Sequence, residues 1–178
     1  MNALSRVIKQ LGAAADEVDW EAVYAEQLPR VYNYFRYRVG DGPLAEDLTA
    51  TTFEKAWVAR ARYRRDLAAF ATWLFTIARN VAADYYRQRR DDLPLDALCE
   101  LPDGGRSVDE TVQRRSDFAR LSHMLAELTP RERELVALKY GASLNNREIA
   151  RLTDLSESNV GTILHRVMLR LRSAWEAE

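Results

Sequence analysis

Apolar residues recur every three or four positions through most of the chain, which is the period of an amphipathic α-helix. The last third of the sequence combines this period with the residues that begin and end helices. Thr129 and Glu132 form a capping box that predicts a helix running to the next glycine. Asn145 and Glu148 repeat the signal and predict a short helix over residues 146–153.

A longer helix is predicted to begin after Ser156, once the turn Asp154-Leu155 has reversed the chain. Its apolar positions share one face and are Val160, Ile163, Leu164, Val167 and Leu171. Its opposite face is polar and carries Asn159, Thr162, Arg166 and Arg170. Two helices joined by a short turn, with the second helix polar on one side, are typical of a DNA-binding helix-turn-helix. The simpler alternative is a packed helical hairpin that binds no DNA.

Three amphipathic patterns precede this motif and predict a three-helix bundle. The first helix spans residues 20–39, the second opens at Pro43 and has Trp57 among its candidate core residues, and the third begins near Ala68. On the third helix the expected core positions are Trp73, Leu74 and Ile77. The residues Phe75, Thr76, Asn80 and several arginines lie off that stripe. Interleaved aromatic and basic side chains favour the binding of unpaired bases.

Charge divides the chain into two domains. The net charge of the 178 residues is −1, yet residues 60–90 carry eight arginines against two acids, and residues 91–117 carry eight acids against three arginines. The acidic stretch also contains Pro and Gly, which is typical of a linker. We therefore expect an all-α protein of two small helical domains. The expected parts are an extension at 1–18, a bundle at 19–90, an acidic linker at 91–116 and a four-helix domain with the helix-turn-helix at 117–178.

Several classes of function are disfavoured by the composition. No apolar run approaches the roughly 20 residues that span a bilayer, and the start lacks the apolar core of a secretory signal, so we expect a cytoplasmic protein without membrane insertion. The single cysteine Cys99 and the histidines His123 and His165 give no metal-ligand spacing. The acids are not paired with a base, a nucleophile or a phosphate-binding loop. We expect neither an enzyme nor a cofactor or metal site.

Three segments in order carry a resemblance to a known family. The segments are AEDLTATTFEKAW (45–57), FATWLFTIARNVAADYYRQRR (70–90) and the helix-turn-helix with its supporting helices (128–172). In this order, separated by an acidic linker, they resemble the extracytoplasmic-function (ECF) group of sigma-70 RNA polymerase sigma factors. The resemblance implies a non-catalytic transcription initiation factor. Its region 2 would recognise and open the minus-ten promoter element, and its region 4 would read the minus-thirty-five element.

The resemblance also implies three sets of contact residues. Those for the beta-prime clamp helices of core RNA polymerase are Asp47, Thr51, Glu54 and Trp57. Those for the minus-ten element are Phe70, Phe75, Thr76, Asn80, Asp84 and Arg87. Those for the minus-thirty-five element are Asn159, Gly161, Thr162, His165, Arg166 and Arg170. The beta flap is the expected polymerase partner of region 4, and an anti-sigma factor is a further candidate partner.

The chain departs from the family pattern at two places. Ala50 and Thr51 stand where relatives often carry Gln-Glu, which makes the polymerase-docking face less polar. Gly161 and Ile163 replace positions that are commonly basic in the family. Since each lost phosphate contact lowers salt-dependent affinity, we expect the recognition helix to bind DNA weakly without polymerase.

The main alternative is a stand-alone helix-turn-helix regulator whose first domain is a sensor or a dimerisation module. Such a regulator would bind a palindromic operator as a dimer. The sequence has no coiled-coil heptads and no ligand-pocket signature. The alternative also leaves the interleaved aromatic and basic residues of the third helix unexplained.

Overall fold

The computed structural model describes residues 20–64, 69–92 and 110–177, and all regular structure in these ranges is helical. The expected all-α class is therefore confirmed. The helices are α1 (Trp20–Val39), α2 (Gly42–Ala59), α3 (Phe70–Asp92), α4 (Glu110–Ala126), α5 (Pro130–Val136), α6 (Asn146–Thr153) and α7 (Glu157–Ala177). The expected extension at 1–18 and most of the expected linker at 91–116 lie outside the described residues.

Helices α1, α2 and α3 form the first half of the structure. The turn between α1 and α2 uses Gly40 at a positive φ of 75°, a conformation that glycine adopts without steric cost. Asp41 then caps α2, since its carboxylate accepts a hydrogen bond from the backbone N–H of Leu44 at 2.7 Å. A short 3₁₀ turn, Arg60–Arg62, follows α2. The bundle buries Val31, Phe35, Leu48 and Leu74.

Helices α4 to α7 form the second half. Both predicted capping boxes are present, with Thr129 and Glu132 at the start of α5 and Asn145 and Glu148 at the start of α6. After Val136 the chain does not stop but continues as a π-helical turn over Ala137–Gly141. We call this turn the π segment. Such wide turns often mark functional positions in helices.

The two halves pack on each other and share one continuous hydrophobic core. The π segment lies across α1, and α6 contacts α3. Within the described ranges, none of the helices is long and apolar enough to span a membrane.

Candidate nucleic-acid interface

Helix α7 presents a polar face opposite a buried stripe. Val160, Leu164 and Val167 are buried, as their helical spacing predicts. The side chains on the other face point to solvent and are Asn159, Thr162, His165 and Arg166. The exposed face therefore offers amide, hydroxyl, imidazole and guanidinium groups, which are the groups that hydrogen-bond base edges and phosphates.

The turn before α7 fixes the direction in which this face points. Asp154 ends α6 in the left-handed region, at φ 54°, and the N–H of Leu155 donates to the carbonyl of Ala150 at 3.2 Å. Ser156 then accepts a hydrogen bond from the backbone N–H of Asn159 at 3.2 Å. The turn is thus held by a backbone hydrogen bond at the end of α6 and by a side-chain cap at the start of α7, which sets the angle between the two helices.

Arg170 differs from the rest of the predicted minus-thirty-five set because it is bound within the protein. Its Nη2 lies 2.6 Å from Oε1 of Glu132, which is itself nearly buried. This contact with Arg170 is the main cause that lowers the pKa of Glu132, and hydrogen bonds from Thr129 add to it. Arg170 therefore ties α7 to the start of α5, and only part of its guanidinium faces solvent.

Gly161 is half-buried on α7, and the space around it would accommodate a larger side chain at its Cβ position. A Cβ placed there would meet only the side-chain nitrogen of Asn146, at an ordinary contact distance of 3.5 Å. The departure from a basic residue at this position therefore changes charge and not packing.

Helix α3 exposes a second polar face. Thr76, Asn80 and Arg87 point to solvent. Asp84 is half-exposed and lies between Lys55 Nζ at 3.2 Å and Arg87 Nη2 at 2.9 Å. The hydrogen bond from Lys55 is the main cause that lowers the pKa of Asp84, so the carboxylate is charged at neutral pH. Asp84 thus pairs with two cations near the exposed Asn80, and the three side chains together keep one net positive charge.

Phe75 was predicted to lie off the core stripe of α3, and this prediction is wrong. The side chain is fully buried and stacks edge-on against Tyr34 with ring centroids 5.7 Å apart. The guanidinium of Arg30 lies 5.9 Å from its ring centroid. In this arrangement Phe75 is not available to a base, unlike the other members of the predicted minus-ten set.

Five aromatic side chains gather where α1 begins, α2 ends and α3 begins. We call this group the aromatic cluster; its members are Trp20, Trp57, Tyr63, Phe70 and Trp73. Trp20 contacts Trp57 and Phe70 at centroid distances of 5.7 Å, and Tyr63 contacts Phe70 at 5.3 Å. The sequence pattern did not single out Trp20 or Tyr63, because its helical period relates only positions within one helix.

Trp57 was expected both in the core and at the polymerase-docking face, and the core expectation is wrong. Half of the side chain, 51%, is exposed, and the guanidinium of Arg60 stacks on it at 4.0 Å. Residues 65–68, between Tyr63 and Phe70 of the aromatic cluster, lie outside the described residues.

One face of α2 is open and carries the predicted docking residues. Asp47 and Glu54 are exposed, and Thr51 is half-buried with its hydroxyl donating to the carbonyl of Asp47 at 2.9 Å. Val58, one turn after Glu54, is 80% exposed. An exposed valine one turn after Glu54 and adjacent in sequence to the half-exposed Trp57 is typical of a surface that another protein covers.

Comparison with known proteins identifies both halves. A family model described as Sigma-70 region 2 matches residues 23–91, and one described as Sigma-70, region 4 matches residues 118–171. The RNA polymerase sigma factor CarQ of Myxococcus xanthus is 31% identical over 86% of this chain and 87% of its own. The ECF RNA polymerase sigma factor BldN of Streptomyces coelicolor is also 31% identical to this chain. The match covers 89% of this chain and 61% of BldN.

A solved structure supports the fold. The sigma factor RpoE from Bartonella quintana, crystallised in complex with the anti-sigma factor NepR, superposes with a TM-score of 0.67 over 90% of this chain and 98% of its own. The sequences are 20% identical, so the likeness concerns the fold alone.

Proposed function

The chain belongs to the ECF group of the sigma-70 family and is a promoter-recognising sigma factor, and from this membership we propose which of its surfaces binds core RNA polymerase and which surfaces read the two promoter elements. The observation that carries the assignment is the exposure of three separate polar faces, on α2, α3 and α7, each backed by a buried stripe. A stand-alone regulator would need only the face on α7.

The face of α2 binds core RNA polymerase at the beta-prime clamp helices. Asp47, Thr51 and Glu54 supply the polar contacts, while Trp57 and Val58 supply apolar area that is exposed in the free chain. A centre of exposed aromatic and aliphatic side chains within a polar rim is the usual composition of a protein interface. The second half binds the beta flap, which places α7 near the upstream promoter element. Catalysis of RNA synthesis belongs to the polymerase, and the chain acts in the cytoplasm, where the polymerase works.

The face of α3 and the aromatic cluster handle the minus-ten element. Extruding a base from a duplex costs a few kcal/mol, and aromatic stacking returns about 1–3 kcal/mol per base. Phe70 contacts Trp20, Tyr63 and Trp73 within the aromatic cluster and is only partly buried, and it is the stacking residue for the extruded base. Asn80 reads a base edge, because its exposed amide has both donors and an acceptor.

The face of α7 reads the minus-thirty-five duplex. Arg166 and Thr162 lie at its centre, with Asn159 and His165 beside them, and all four side chains are exposed. Arg170 contributes by holding α7 on Glu132 and by the charge of its exposed part. An anti-sigma factor is a proposed regulatory partner, supported by the anti-sigma complex of the similar Bartonella quintana protein.

The test is reconstitution with core RNA polymerase. The purified chain is mixed with core enzyme and applied to a sizing column, and the co-eluting fraction is assayed for initiation on promoters that vary in each element. Co-elution and promoter-specific initiation are expected. Binding of a palindromic duplex by the chain alone, with no effect of core enzyme, would favour the stand-alone regulator.

A further inference from the structure

One carboxylate on α3 holds two cations that come from different helices. Lys55 on α2 contacts Oδ2 of Asp84, and Arg87 on α3 contacts Oδ1 of the same side chain. Because each cation takes its own oxygen, the carboxylate stands between the two positive groups and sets the distance between them. The bond to Asp84 also directs the ammonium of Lys55 towards α3. A residue of α2 thereby becomes part of the polar face of α3.

Folding alone does not explain this cluster. The side chains of Lys55, Asp84 and Arg87 are 50%, 37% and 69% exposed. Exposed ion pairs are screened by water and salt, and they add little to stability. An ammonium and a guanidinium each have more N–H donors than the one that bonds to Asp84. The cluster can therefore bind an anion while it stays bonded to Asp84, and its net positive charge favours one.

The cluster continues the row of polar side chains that is proposed to face the minus-ten element. Asn80 precedes Asp84 by one turn of α3, which is about 5.4 Å along the helix axis, and Arg87 follows Asp84 by three residues. An amide can read a base edge, whereas cations most often contact phosphate oxygens. A strand whose base lies at Asn80 therefore has its backbone within reach of the two cations.

We propose that Lys55 and Arg87, held in place by Asp84, bind backbone phosphates of the opened minus-ten strand. Asp84 is a positioning residue in this site and makes no contact with DNA, because a carboxylate and a phosphate repel each other. Lys55 is a DNA-binding residue on a helix whose other polar residues are assigned to polymerase. The contact adds affinity for the single strand without changing base preference. This inference rests on the proposed sigma-factor function.

The salt dependence of strand binding tests the contact made by Lys55. Holoenzyme is titrated with a fluorescent single-stranded oligonucleotide that carries the minus-ten element, over a range of salt concentrations. Lys55→Met removes the charge and keeps a long side chain. The slope of log affinity against log salt concentration should become shallower by about 0.7, the value for one phosphate contact on a single strand. At about 0.1 M salt this corresponds to binding that is about fivefold weaker.

Arg147→Met is the matched control, because it removes an equal charge from an exposed ion pair on α6. Its partner there is Glu157, at 3.8 Å. The control should leave the slope for the minus-ten strand unchanged. Lys55→Met should also keep the parent's affinity for core polymerase and the parent's melting temperature. These two measurements separate a DNA contact from a docking contact and from a structural role.

Asp84→Asn tests the positioning role. If net charge alone mattered, the loss of a negative charge would tighten DNA binding. Loss of positioning should instead weaken it by at least about twofold, because the two cations must then be ordered when the strand binds. In a variant that already lacks both cations, Lys55→Met with Arg87→Met, the change at Asp84 should cause no further loss. Glu157→Gln, in the control ion pair, should bind the strand as the parent does.

Three results overturn the inference: an unchanged salt slope for Lys55→Met, an Asp84→Asn holoenzyme that binds the strand as tightly as the parent, or a loss from Asp84→Asn that persists without the two cations. A parent holoenzyme that binds the minus-ten strand no better than a scrambled strand would instead refute the proposed role of α3. In that case the salt slopes on either strand still judge the phosphate contact, because it does not depend on base sequence.

Discussion

Replacing Glu132 with alanine should destabilise the second half by about 2 kcal/mol. The carboxylate completes the capping box of α5 by accepting from the backbone N–H of Thr129 at 3.1 Å, and such a cap contributes about 1 kcal/mol. Its ion pair with Arg170 adds about 1 kcal/mol at most, because the arginine is 53% exposed and water screens it. The cap stabilises the start of α5, and the ion pair holds α7 against that start.

Thermal unfolding followed by circular dichroism measures this effect. For a chain of this size about 2 kcal/mol corresponds to a melting temperature lower by about 4–8 °C. Glu132→Gln should lose about half as much, since its amide oxygen can still accept from Thr129 but carries no charge for Arg170. Glu127→Ala, at an exposed position in the turn after α4, is the control. The reasoning is refuted if Glu132→Ala melts with the parent, or if the glutamine variant melts as low as the alanine variant.

Acid should remove the charge-dependent part of this effect. Because the pKa of Glu132 is lowered in the folded chain, its contribution is present above the ordinary glutamate pKa of about 4.3 and is lost as the pH falls through the lowered folded value. The difference in unfolding free energy between the parent and Glu132→Gln should therefore be constant near neutral pH and shrink below about pH 4. A difference that persists at lower pH would contradict the ion-pair assignment.

Three further substitutions address the proposed surfaces. Asp47→Arg should abolish co-elution with core polymerase while leaving the melting temperature unchanged, because it reverses an exposed charge and leaves the buried Leu48 alone; undiminished co-elution would remove Asp47 from the docking face. Arg166→Ala should weaken use of the minus-thirty-five element by about 1–3 kcal/mol if it reads a base edge, and transcription from promoters randomised in that element would then show relaxed preference. Asn80→Ala should shift minus-ten selectivity with a stability change below about 0.5 kcal/mol, since the side chain is exposed; lowered melting with intact selectivity would make Asn80 structural.

The helix-turn-helix could be predicted from sequence almost residue by residue. Helix α6 spans Asn146–Thr153 as expected, and the buried positions Val160, Leu164 and Val167 follow the predicted stripe. The reason is physical: capping boxes and helical periodicity are local signals, and the signals here agree with the packing. Most of the polar residues assigned to DNA on α3 and α7 are exposed, as the sequence suggested.

The contact between the halves could not be predicted in the same way. Arg30 and its acceptor Ala142 are 112 positions apart, and no periodicity relates them. Phe75 was misjudged because the periodicity of α3 does not show where α1 packs: its ring is buried against Tyr34 beside Arg30, both of which lie on α1 in the same half. The partial exposure of Trp57 was missed because a tryptophan at helical spacing is usually core, whereas here Arg60 covers one face of the ring.

The hydrogen bonds from α1 to the second half have a consequence for how the chain can evolve. Arg30 and Arg38 both donate to main-chain carbonyls, and every amino acid supplies a carbonyl. Sequence drift at the exposed Pro130 therefore leaves its acceptor in place, while the donors on α1 and the absent side chain of Gly141 have no such tolerance. The packing of the two halves therefore constrains Arg30, Arg38 and Gly141 more tightly than it constrains the side chain at position 130. The positions at which substitution would disturb this packing are few, and two of the three lie on α1.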